Sequence, residues 1–218
     1  MFTELIDLLR CPNAHEDSWL VATSSRTGSR HILDGKLGCP VCKATFDIID
    51  GEAMFSSAPV LRSAITLDDD AAFRLAAQLH LVDAPQPIML TGLWSRAVAP
   101  LRRIVPLVTM FVGDATSAIT LDEKVSTLRL PPSGIPLAAG SLRALALDRA
   151  HSGEMHLSEA SRVIGTRGRL VVPAATALAP PLWRIIATDT EVTVAERLPV
   201  PSTPIQLRRA PRSPLFTP

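Results

Sequence analysis

The feature that most constrains this chain is the placement of its three cysteines. Cys11 opens the run Cys11-Pro12-Asn13-Ala14-His15, the other two form Cys39-Pro40-Val41-Cys42, and no cysteine follows in the 218 residues. An odd set confined to one end of the chain does not make a disulfide framework. Thiolate and imidazole at these spacings suit tetrahedral zinc, with two ligands from each knuckle. A closed set of four makes such an ion structural rather than catalytic. His15 is taken as the fourth ligand because it completes the first knuckle, and His31 is the alternative. The physical reason for a metal is size. A segment of about 56 residues builds little core alone, so a cross-link through its middle supplies the folding energy.

Local signals around the cysteines fit a small β unit over residues 1–56. Residues 2–9 read as a short amphipathic helix. The polar stretch with Ser24, Ser25, Gly28 and Ser29 reads as a hairpin loop. Residues 31–37 and 45–49 read as short strands, and Asp34-Gly35 and Asp50-Gly51 as turns.

From residue 63 the texture changes to α/β. A connecting segment, 57–84, holds a helix at 68–82 whose acidic start, Asp68-Asp69-Asp70, suits a helix N-terminus. Strands are expected at 87–90, 107–112, 125–130, 142–147 and 169–172. Helical patterns are expected at 93–104, kinked by Pro100, and at 152–164. Residues 165–168 read as a turn, 181–187 as a further helix, and 191–198 with 205–209 as a closing antiparallel pair. Strands alternating with helices imply a mostly parallel sheet with helices on both faces. Hydrophobic residues make up 47% and aromatics only 4%, so aliphatic side chains must pack this core. Residues 211–218 form a proline-rich tail.

The pattern Leu5-Ile6-Asp7-Leu8-Leu9-Arg10-Cys11-Pro12, then Cys39-Pro40-Val41-Cys42-Lys43, Phe46-Asp47-Ile48, Asp50-Gly51 and Met54-Phe55 resembles the zinc-ribbon proteins that activate tRNA and protein methyltransferases. That family usually has cysteine where this chain has His15, one residue later. The resemblance implies a protein partner, since its members cover an apolar surface on a methyltransferase or are fused to one. Residues 85–210 resemble a class I S-adenosylmethionine-dependent methyltransferase domain. The likeness lies in Leu130-Pro131 through Leu137, in Ser141 to Leu147, and in Glu159-Ala160-Ser161-Arg162-Val163-Ile164-Gly165-Thr166-Arg167-Gly168 with Arg169 to Val172. The expected fold is therefore α/β, a Rossmann-like methyltransferase-type sheet with a small N-terminal zinc ribbon.

The cofactor half departs from that family. A glycine-rich turn after the first strand lets backbone approach the ligand, but here Thr91-Gly92-Leu93-Trp94 keeps only Gly92. Leu93 and Trp94 are expected to intrude on the cofactor space, which argues against S-adenosylmethionine binding. Gly92 and Asp114 are the residues left as candidate cofactor contacts, Asp114 for ribose hydroxyls. Asp148, Arg149 and His151 end the fourth strand, His151 reading as a loop or cap residue. No Ser-His-Asp order, Walker loop or paired-carboxylate cluster stands out, so no catalytic residue is assigned.

A net charge of +1 gives no electrostatic ground for non-specific nucleic-acid binding. The pairs Arg102-Arg103 and Arg208-Arg209 read as solvated surface. No apolar run approaches the ~18–20 residues of a membrane helix. Glu4 and Asp7 precede the first basic residue, unlike a signal peptide. A cytoplasmic protein without membrane contact is expected. Three roles follow: a non-catalytic binding or scaffold module, an active methyltransferase on RNA or a small molecule, or a structural subunit of a larger assembly. The first is the leading expectation.

Overall fold

The computed structural model describes residues 1–60, 65–81, 86–120 and 124–199. Among these, eleven strands form one continuous sheet. Four belong to the N-terminal unit: β1 (Val21–Gly28), β2 (His31–Gly38), β3 (Thr45–Ile49) and β4 (Glu52–Met54), an antiparallel meander. The stretch read as a hairpin loop at Ser24 and Ser25 lies inside β1. The chain instead reverses at Ser29 and Arg30, both in the left-handed region. β1 is mostly exposed, so its polar side chains face water while its backbone pairs with β2. The helix expected at 2–9 is a 3-10 helix, Thr3–Leu8.

The remaining strands are β5 (Ile88–Thr91), β6 (Met110–Gly113), β7 (Val125–Arg129), β8 (Leu142–Ala146), β9 (Ile164–Pro173), β10 (Trp183–Thr188) and β11 (Val192–Arg197). Their spatial order is β7-β6-β5-β8-β9-β11-β10. β5 to β9 run parallel, and β11 lies antiparallel between β9 and β10. Counted from β5, the order is 3-2-1-4-5-7-6, a doubly wound sheet with its strand order reversing between β5 and β8. This is the Rossmann-like, methyltransferase-type sheet. Two expectations fail here. The segment read as a helix at 181–187 is β10, whose Trp183-Arg-Ile-Ile run favours a strand. The expected turn at 165–168 is a bulge inside β9, which falls between the pairs Leu142–Ile164 and Ala144–Arg169. β11 therefore pairs with β10, and residues 205–209 lie outside the described residues.

Period-2 alternation sorts the sheet's side chains into two cores. Met89, Phe111, Leu145, Leu170 and Val172 share one face with Leu5 of the 3-10 helix, with Phe2 and Leu9 that flank it, and with Ala160 and Val163 of α3 (Glu154–Val163). Ile88, Leu90, Met110, Val112, Ala144 and Val171 share the other with Leu75 and Leu79 at α1 (Asp69–Gln78) and Val98 and Leu101 of α2 (Val98–Ile104). Pro100 sits in the first turn of α2, where its missing N–H costs nothing. It does not kink a longer helix, because the preceding residues Gly92–Ala97 are 3-10. No helix among the described residues is long and apolar enough to cross a membrane.

The N-terminal unit thus covers one face as a helix otherwise does. Leu9 is fully buried and also bridges to Leu137 through backbone. Leu9→Ala is expected to cost about 2–5 kcal/mol, seen as a lower urea midpoint with an unchanged slope. A shift under ~0.5 kcal/mol, the range of ordinary surface substitutions, would show that this face is not packed as described.

Candidate functional site

The cysteine knuckles converge. The Sγ atoms of Cys11, Cys39 and Cys42 and a ring nitrogen of His15 all lie within 4.8 Å of one another. Cys11 follows the 3-10 helix, and its N–H donates to the Ser18 carbonyl, which folds the 11–18 loop back on itself. Cys39 ends β2. The N–H of Lys43 donates to the Cys39 carbonyl and the Cys39 N–H to the Ala44 carbonyl, with Lys43 left-handed, and this tight turn aims both sulfurs one way. His15 Nδ1 hydrogen-bonds the Glu16 carbonyl at 2.6 Å, leaving Nε2 toward Cys39 Sγ at 3.4 Å. A second-sphere hydrogen bond of this kind fixes the tautomer of a metal-ligating histidine.

The spacing fits zinc. A tetrahedral ion with Zn–S of ~2.3 Å separates two sulfurs by about 3.8 Å, and Cys11 Sγ and Cys42 Sγ are 3.7 Å apart. Burial works against the Cys39 thiolate, but the N–H groups of Cys42 and Val41 outweigh it and lower that thiol to about 6. Burial and the neighbouring sulfurs push Cys11 the other way, to about 12. Ionised sulfurs this close repel unless a cation sits among them. These four residues would hold a zinc ion with no open position for chemistry. His31, the alternative ligand, lies elsewhere. Its ring nitrogens face the carbonyls of Ser29 and Val125, and its ring packs on Phe2.

The knuckle is bound to the large sheet. The Arg10 N–H donates to the Pro136 carbonyl and Ser133 Oγ to the Pro12 carbonyl. The loop carrying Pro136 is clamped in turn by Glu159 and Arg162 of α3. Arg162 donates to the carbonyls of Ile135 and Leu137, and Glu159 accepts from the Ile135 N–H. The Glu159–Arg162 pair of the resembling motif therefore holds the cysteine knuckle's neighbour in place.

The crevice at the strand-order reversal lies where β5, β6 and β8 end, the usual ligand position of such sheets. Gly92 follows β5 with φ +48°, and a Cβ there would stand 2.2 Å from Asp148 Oδ2. Its bare backbone is thus approached by the protein's own carboxylate. The Leu93 N–H donates to Asp148 Oδ2 at 2.9 Å, and Trp94 Nε1 donates to the Leu147 carbonyl at 3.2 Å. Leu93 is 47% exposed. At the same strand ends His151 bridges two carboxylates. Its Nδ1 lies 2.5 Å from Asp148 Oδ1 and its Nε2 3.0 Å from Asp114 Oδ2. Asp114, the candidate ribose contact, spends its other oxygen on the Leu130 N–H. Burial would lower the His151 pKa, but hydrogen bonds to Asp114 and Asp148 prevail and lift it to about 9. The ring is then an imidazolium bridging two acids. Arg129 lies 3.9 Å from Asp114 and 3.3 Å from Glu52 of β4, so alternating charges run from the N-terminal unit into the crevice.

The sequence places Gly92 and Asp114 here, and Asp148 with His151 at the end of the fourth strand, but does not join Asp114 to His151 and Asp148. The signal for that bridge was the Asp148-x-x-His151 spacing, which puts both side chains on one side of a single 3-10 turn, Arg149–His151. Glu52 and Arg129 carried no local signal.

No protein-family model matches this chain, and no curated protein matches it. Solved structures similar to it include geranyl diphosphate C-methyltransferase from Streptomyces coelicolor A3(2), at 16% identity over 49% of this chain and 43% of that one, with a TM-score of 0.41. A tRNA (m1A58) methyltransferase from Aquifex aeolicus matches at 11% identity over 65% of this chain and 73% of that one, with a TM-score of 0.42. The chain spans less than half the length of the first of these. Its own strand order, rather than such partial overlap, defines it as a methyltransferase-like fold with a Cys/His cluster at its N-terminus.

Proposed function

We propose that this is a zinc-binding, methyltransferase-like protein that does not transfer methyl groups and acts as a binding or scaffold module for a protein partner in the cytoplasm. The observation that carries the reading is the Asp114–His151–Asp148 bridge. It occupies the crevice at the strand-order reversal and consumes the Leu93 N–H and both carboxylates that a nucleoside would need. Gly92 serves Asp148 rather than a ligand. On this reading those groups are engaged with one another and are not offered to S-adenosylmethionine. The zinc cluster has the composition of a fold-stabilising site, and free thiolates suit a reducing compartment. The half-exposed Leu93 at the crevice mouth offers an apolar contact for a partner.

Calorimetry with S-adenosylmethionine and S-adenosylhomocysteine tests this. No saturable heat is expected at ligand concentrations up to about 1 mM, the range where binding free energy falls to ~4 kcal/mol. Micromolar binding of either would overturn the non-catalytic reading and promote the enzyme alternative.

A further inference from the structure

The opposite end of the sheet, where β8 and β9 begin, carries a cavity of about 590 Å³. Arg143, Arg167 and Arg169 line it beside His80 and the bare backbone of Gly140 and Gly165. Glu196 is the one acid in its wall, and its carboxylate is shared between Arg184 at 2.7 Å and Arg169 at 3.7 Å. Arg143 donates twice to the His80 carbonyl, a neutral acceptor, which holds its guanidinium without cancelling its charge. The Arg167 side chain has no hydrogen bond or ion pair among the described residues. The Nε of Arg169 is buried without a hydrogen-bond partner.

The backbone is shaped around this cluster. The bulge at Gly165 to Gly168 inserts extra residues between the pairs Leu142–Ile164 and Ala144–Arg169. Gly168 packs so tightly that a Cβ would stand 2.6 Å from the Arg143 carbonyl oxygen. Arg167 holds φ +66°, a conformation that favours glycine or asparagine over a long cationic side chain. A strained, solvent-facing arginine with no partner in the fold points to a partner outside it. Guanidinium groups from two strands match phosphate oxygens in charge and in fork geometry.

We propose that this cavity binds a phosphate-bearing ligand through Arg143, Arg167 and Arg169. The site is separate from the crevice at the other ends of the strands, so it stands or falls independently of whether S-adenosylmethionine binds there. The test uses the full chain at low salt, titrated with pyrophosphate and separately with a short single-stranded RNA. Saturable pyrophosphate binding is expected. Arg167→Gly removes the guanidinium and leaves the left-handed backbone relaxed, and it should weaken binding about tenfold. Arg167→Lys should restore part of it, and Arg26→Ala, in β1, should change nothing. If RNA displaces pyrophosphate with a steep salt dependence, the phosphate belongs to a polynucleotide. If pyrophosphate binds and RNA does not compete, it belongs to a free diphosphate. Either result upholds the site. No saturable binding of either probe, or binding that Arg167→Gly leaves intact, overturns it.

Discussion

Removing the metal from the Cys11, His15, Cys39 and Cys42 cluster is expected to lower the melting temperature of the protein by about 10 °C or more. Structural zinc contributes ~10–16 kcal/mol in small fingers at neutral pH. Even several kcal/mol of that, spread over a chain of this size at ~2–4 °C per kcal/mol, gives a shift of this order. The effect should reach beyond the knuckles, because the same unit supplies Phe2, Leu5 and Leu9 to the core of the large sheet. Protein purified without chelator should carry one zinc per chain. Cys39→Ser should lose it, since Cys39 is 3% exposed and a hydroxyl there is a poor ligand held inside apolar surroundings. A metal-free preparation with an unchanged melting curve would exclude a structural ion at this cluster.

His151→Ala should cost about 3–5 kcal/mol, the range for removing one partner of a buried charge set. Two carboxylates, Asp114 and Asp148, would then face each other with no cation between them. The bridge also sets a pH dependence. The folded-state pKa of His151, about 9, lies above the ordinary value of ~6.5. Its contribution to stability is therefore fully present below about pH 6.5 and lost as pH rises through about 9. Asp148 opposes burial through its hydrogen bond to His151 and is held below the ordinary carboxylate value. Its share is present above that ordinary value and lost as the solution is acidified. Urea unfolding from pH 6 to pH 10 should show the fall in the native chain and a flatter profile in His151→Ala. Parallel profiles for the two proteins would mean that His151 is not the imidazolium in the crevice.

Much of this was legible along the chain because it is local. The knuckle spacing, the buried strands Ile88–Thr91 and Met110–Gly113, and the helix Glu154–Val163 each announce themselves within about ten residues. What escaped depends on distant partners. Trp183–Thr188 carries the aromatic and β-branched residues of a strand, but a short apolar run is ambiguous until its pairing with β11 is seen. Ser24 and Ser25 read as loop because polar side chains on an exposed strand lack the alternation that marks a half-buried one. The charge chain from Glu52 to Asp148 joins residues from four separate segments. The arginines at 143, 167 and 169 gather only after β8 and β9 align, which is why a net charge of +1 concealed them.

β4 lies hydrogen-bonded alongside β7, pairing Glu52, Ala53 and Met54 with Thr127, Leu128 and Arg129. The small unit is in this way a guard on an open flank, not a bead on a string. Were it to come away, the main-chain donors and acceptors of β7 would be laid bare, and a row of unpaired strand groups recruits other chains. Loss of the ion should thus show itself as clumping of molecules as well as melting of one.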